Sequence, residues 1–148
     1  MSTVSVNTIK SLNTSGPVFQ NSSGTEKGQL AKAWVNFDGF DVTTNMTGVD
    51  ASLNILSVTD EGVGLYTITF ITNTFQNANY CFTGSLNNTK SDGTELAGVT
   101  RGAVGVFQSN SGTKTTTTFR VETRFGSTNN NAGGVFDFRN VYCVFFGD

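Results

Sequence analysis

Ala31-Lys-Ala-Trp-Val-Asn-Phe-Asp-Gly39 is the stretch whose reading decides the fold. As an extended strand it puts Ala33, Val35 and Phe37 on one side, closes on the turn former Gly39, and carries the only tryptophan, Trp34. Flanked by Ala33 and Val35, Trp34 is expected as a packing anchor rather than a sugar platform. The residues before this stretch read as an arm, and those after it as strand, turn, strand.

Forward from Gly39, Phe40 and Val42 lead into a polar loop through Asn45 and Gly48. Leu53 to Thr59 is expected as a strand, Asp60-Glu-Gly-Val-Gly64 as its turn and Leu65 to Ile71 as the return. On the return Tyr66, Ile68 and Phe70 share one face while Thr67 and Thr69 share the other, the period of a strand with one buried side. Gly62 and Gly64 are expected to supply positive φ or a bulge in a loop longer than two residues. Tyr80 and Phe82 face one way in the next strand. Residues 95–107 form a weaker strand region punctuated by Gly98, Gly102 and Gly105. Thr115 to Phe125 alternates cleanly, Phe119, Val121 and Phe125 opposing Arg120, Glu122 and Arg124. The last strand is expected from Val135 to Phe146, with Phe136, Phe138, Tyr142, Val144 and Phe146 on one face. Beyond Arg139 its other face is also apolar, with Val141, Cys143 and Phe145, which fits either the middle of a sandwich or a subunit contact.

About eight strands at intervals of roughly 8–12 residues, with no helical period, predict an all-β domain over residues 31–148. Its expected architecture is an antiparallel β-sandwich, jelly-roll-like, with an up-and-down barrel as the alternative. Residues 1–30 form an extended N-terminal attachment arm: one short alternation (Val4, Val6, Ile9), then a polar run containing the only proline, Pro17. Such a segment buries too little apolar surface to offset its ordering entropy. Val18 and Phe19 interrupt it as an apolar pair suited to docking on a neighbouring chain or on its own domain.

Composition narrows the function classes. Charged residues are 14% of the 148, against about 25% in ordinary domains, and Thr, Ser, Asn and 17 Gly take their place. Thirteen Phe, three Tyr and one Trp supply side chains suited to a pleated surface. A net charge of -2 and a pI near 5.0 leave no basic stripe for phosphates, so no nucleic-acid partner is expected. No apolar run is long enough to insert in a membrane, and the N-terminus lacks a signal peptide's apolar core, so synthesis in a cytoplasm is expected. The sequons at Asn13, Asn21, Asn45 and Asn87 are then chance products of composition.

The chain has no histidine, which excludes His-based triads, imidazole acid–base catalysis and zinc sites with His ligands. Carboxylates remain: Asp38 and Asp41 around Gly39-Phe40, and the pair Asp60-Glu61, which reads as turn chemistry. Asp38 and Asp41 lack the spacing of a calcium loop, and Gly62-Val-Gly64 lacks the helix after it that would make it a phosphate cradle. No enzyme activity, catalytic residue, metal site or cofactor is expected. Cys81 and Cys143 lie inside apolar strand patterns and read as free buried thiols, with a cross-strand disulfide as the alternative.

The order Gly28-Gln-Leu-Ala-Lys-Ala-Trp-Val-Asn-Phe-Asp-Gly39, then Leu56-Ser-Val-Thr-Asp-Glu-Gly-Val-Gly-Leu-Tyr-Thr-Ile-Thr-Phe70, then Asn77-Ala-Asn-Tyr80, resembles a module of tail-fibre-like structural proteins of tailed bacteriophages, marine and cyanobacterial ones among them. Asn7-Thr-Ile-Lys10 and the polar arm are similar to the segment that often precedes it. The resemblance covers residues 5–85 and implies a virion protein assembling as a homotrimer on fibres, knobs or the capsid surface. The expectation is a non-enzymatic virion appendage, attached to other virion proteins by its arm and contacting the host. A capsid decoration or cement protein is the alternative, and a carbohydrate-binding module a third reading. Val18, Phe19, Val141, Cys143 and Phe145 are the candidate oligomer or particle contacts. Asn87, Asn88 and Asp92, with Asn129, Asn130 and Asn131, are the candidate loop tips for a host-surface glycan.

Overall fold

The computed structural model describes residues 18–20, 26–87, 104–110, 112–126 and 134–147, with side chains described except at 18–20, 26–29 and 104. The described residues contain no helix and form two antiparallel sheets packed as a β-sandwich, preceded by a separate hairpin. In the hairpin, β1 (Val18–Gln20) pairs with β2 (Glu26–Gln29) and with no strand of the sandwich.

The first sheet has the order β4 (Val49–Leu53), β3 (Ala33–Phe37), β11 (Asn140–Phe146), β7 (Cys81–Asn87). The second runs β5 (Ile55–Gly62), β6 (Leu65–Phe70), β9 (Thr118–Phe125), β8 (Val104–Gln108). The short β10 (Gly134–Val135) continues along the edge of β9 where β6 ends. The stretch around Trp34 thus lies next to the last strand of the chain: Ala33 is opposite Phe145, Val35 opposite Cys143 and Phe37 opposite Val141.

Between the sheets lies an aromatic core. Phe145 is its hub, its ring centroid 5.0 Å from Phe70, 5.2 Å from Phe119 and 5.5 Å from Phe82. Val35, Phe37, Val58, Tyr66, Ile68, Val121 and Phe138 complete it. The sheets approach closely where Gly84 of β7 faces β8, since a Cβ there would stand 2.9 Å from Val106 Cβ.

Three expectations need correction. The strand expected from Leu53 onward is two strands in different sheets, because Asn54 takes a left-handed conformation (φ 57) and donates through Nδ2 to Lys32 O at 2.6 Å. The β5–β6 turn is the two residues Val63-Gly64, shorter than expected, with positive φ at Gly62 and Gly64 and a register shift between Asp60 and Gly62. The strand expected from Val135 to Phe146 is interrupted at residues 136–139, so its parity does not carry through. Phe138 is buried, whereas Tyr142 and Phe146 face outward.

Candidate functional site

Side-chain alternation on β3 and β11 separates a buried face from an outward one. Val141, Cys143 and Phe145 lie at 0% exposure, inward, so they are core residues and not the oligomer or particle contacts expected of them. The physical reason is pairing: β11 is a central strand of its sheet, and these three side chains meet Phe37, Val35 and Ala33 and the rings of the opposite sheet.

The outward face of the same sheet is built by the alternate residues. Tyr142 (39% exposed), Val144 and Phe146 (36%) run along β11. Trp34 stands beside Val144, and Leu53 (42%) beside Trp34 on the edge strand β4. Trp34 is therefore a partly buried member of the outward face, not an internal anchor. On the β7 side, exposed Cys81, Thr83 and Ser85 pair with Phe146, Val144 and Tyr142. Asn36 lies between Ala51 and Tyr142, and its Oδ1 is buried with no donor among the described residues.

The second sheet turns a different face to solvent. Arg120 pairs with Glu61 at 3.3 Å and donates to Thr67 Oγ1, while Arg124 pairs with Glu122. That face thus combines ion pairs and threonines with the exposed apolar side chains of Leu56 and Phe107, whereas the outward face of the first sheet has tyrosine, tryptophan, phenylalanine and leucine as neighbours across β4, β3 and β11.

The remaining expected residues divide by what is described. Asn87 ends β7, exposed and opposite Asn140. Asn88, Asp92, Asn129, Asn130 and Asn131 lie outside the described residues, as do Val4, Val6 and Ile9 of the arm. Val18 and Phe19 belong to β1, opposite Gln29 and Gly28.

Of the carboxylates singled out above, Asp38, Asp60 and Glu61 have local partners, and Asp41 is exposed. Asp38 accepts from Phe40 N at 2.9 Å and faces Arg139 at 3.5 Å. Asp60 accepts from Gly62 N at 2.8 Å within its turn. Among the described residues, no three His, Cys, Asp or Glu side chains gather as a metal site, and no helix is long and apolar enough to cross a membrane. Both cysteines are free: Cys143 is buried, and burial pushes its thiol pKa up, whereas Cys81 is exposed. Cys81 is three positions from Gly84, the residue opposite Cys143, and the two thiols lie on opposite faces of the sheet.

No protein-family model, curated protein or solved structure matches the chain.

Proposed function

We propose that this chain is a non-enzymatic structural protein of a bacteriophage virion, a fibre- or knob-like appendage that assembles as a homotrimer and attaches through its N-terminal arm. The resemblance of residues 28–39, 56–70 and 77–80 to phage tail-fibre modules supports the virion context. The observation that carries the adhesive role is the outward face of Trp34, Leu53, Tyr142, Val144 and Phe146, neighbours across β4, β3 and β11. Covering apolar side chains yields about 25 cal/mol per Å² of surface removed from water, and rotational symmetry repeats the gain at each interface.

Two measurements test this. Sedimentation of the purified chain is expected to give a trimer, and Tyr142→Asp with Phe146→Asp a folded monomer. A wild-type chain that stays monomeric at every concentration overturns the assembly. Antibody labelling of intact phage particles is expected to find the chain at a defined position, and its absence from purified particles overturns the virion assignment.

A further inference from the structure

The second sheet carries a cleft that the assembly role leaves unused. Its volume is about 490 Å³ and it is lined by Phe107, Gln108, Asn110, Glu122 and Arg124. That volume falls within the roughly 300–1,000 Å³ of small-molecule sites. Phe107 is 51% exposed, a phenyl ring open to solvent beside the Arg124–Glu122 pair.

The ring's attitude comes from its neighbour. A Cβ built on Gly105 would lie 2.8 Å from Phe107 Cζ and 2.9 Å from its Cε2, so the ring lies back along β8 over the glycine, in space that any side chain would fill. Across the pairing, Gly105 is opposite Arg124 and Phe107 opposite Glu122. The phenyl ring therefore runs alongside the Arg124–Glu122 ion pair, with the exposed carboxamides of Gln108 and Asn110 beyond it.

We infer that this cleft binds a neutral pyranose, its C–H face against the Phe107 ring and its hydroxyls on Glu122, Arg124, Gln108 and Asn110. Charge selects the class. The Arg124 guanidinium in the cleft is already compensated by Glu122, so a phosphate, sulfate or uronate would have to displace that carboxylate and leave it beside an anion. A hydroxyl instead accepts from the guanidinium and donates to the carboxylate at once, leaving the pair intact. Carboxamides offer the same double capacity. This site is on the sheet opposite the apolar contact face and does not depend on the virion assignment. Binding by the isolated chain tests it alone.

The probes are methyl α- and β-glucoside, galactoside and mannoside, with methyl glucuronide as the charged comparison, monitored by NMR through the Phe107 ring protons. At least one neutral glycoside is expected to shift those protons with a dissociation constant near millimolar, and to bind more tightly than the glucuronide. Phe107→Ala is expected to weaken it about tenfold, the loss of one ring contact. Gly105→Ala is the control for folding. The three atoms nearest the new Cβ all belong to the movable Phe107 ring, so the sheet is expected to stay intact while the ring is lifted and binding weakens. No shift from any neutral glycoside at tens of millimolar, unchanged affinity in Phe107→Ala, or preference for the glucuronide overturns the proposal.

Discussion

Tyr66 reads from the sequence as one of three core residues on a strand, and it is buried as such, but its hydroxyl has a role that alternation does not show. The oxygen lies 2.7 Å from Asp137 Oδ1 and 3.1 Å from Gly39 O, and Gly64 N donates to the same carboxylate oxygen at 2.6 Å. One phenol thereby ties the end of the Trp34 strand to the segment before β11. Burial, then the hydrogen bond and charge of Asp137, push the Tyr66 pKa up; burial alone does so for Tyr80 and Cys143. In the unfolded chain these groups ionise near about 8.5 for a thiol and 10 for a phenol. The unfolded state thus loses protons first as pH rises. Their contribution to stability is complete below about pH 8.5 and falls as pH climbs toward the raised folded values, by up to about 1.4 kcal/mol per unit for each group. Urea midpoints between about pH 7 and 11 should show this alkaline decline. Tyr66→Phe should cost about 1–2 kcal/mol at neutral pH and flatten the decline, and a midpoint that does not move with pH contradicts the linkage. Gly84 gives a second test at this scale. Gly84→Ala would place a methyl 2.9 Å from Val106 Cβ, whose backbone-proximal atom cannot swing away, at an expected cost of about 1–3 kcal/mol by the same measurement.

At the level of the strand, alternation was legible wherever the backbone ran unbroken. Phe119 and Val121 against Arg120 and Glu122, and Tyr66, Ile68 and Phe70 against Thr67 and Thr69, lie as the pattern requires. It failed at the breaks. Nothing in the run Leu53-Asn-Ile-Leu56 marks Asn54 as a left-handed residue that sends the chain from one sheet to the other, because Asn tolerates that conformation without requiring it. Parity counted through 136–139 likewise grouped Phe138 with Tyr142, although the interruption resets which side each residue faces. On β11 both faces are apolar, and only the partner strands decide which one is core. The choice is testable in two adjacent residues. Phe145→Ala should cost about 3–5 kcal/mol by denaturant unfolding, as a cavity amid four rings, whereas Phe146→Ser should leave the unfolding free energy of the monomer within about 1 kcal/mol. Equal costs would mean that both faces are interior.

For the whole molecule, the sandwich and the β1–β2 hairpin are separately paired units among the described residues. The sandwich begins at Lys32, whose N donates to Phe145 O at 2.9 Å and whose O accepts from Asn54, and it closes with β11 between β3 and β7. The β1–β2 hairpin contributes no strand to either sheet, and a two-stranded hairpin is marginal in water unless it packs on something larger. Stability and attachment should therefore separate. Removing residues 1–30 should leave the thermal midpoint of the sandwich within about 2 °C at matched protein concentration, since the core and both sheets remain. The shortened chain keeps Trp34, Leu53, Tyr142, Val144 and Phe146 and should still self-associate, but it should no longer be incorporated into particles. If the truncated chain instead becomes monomeric while staying folded, the arm and not the outward sheet face holds the copies together, and the proposed assembly fails at its central contact.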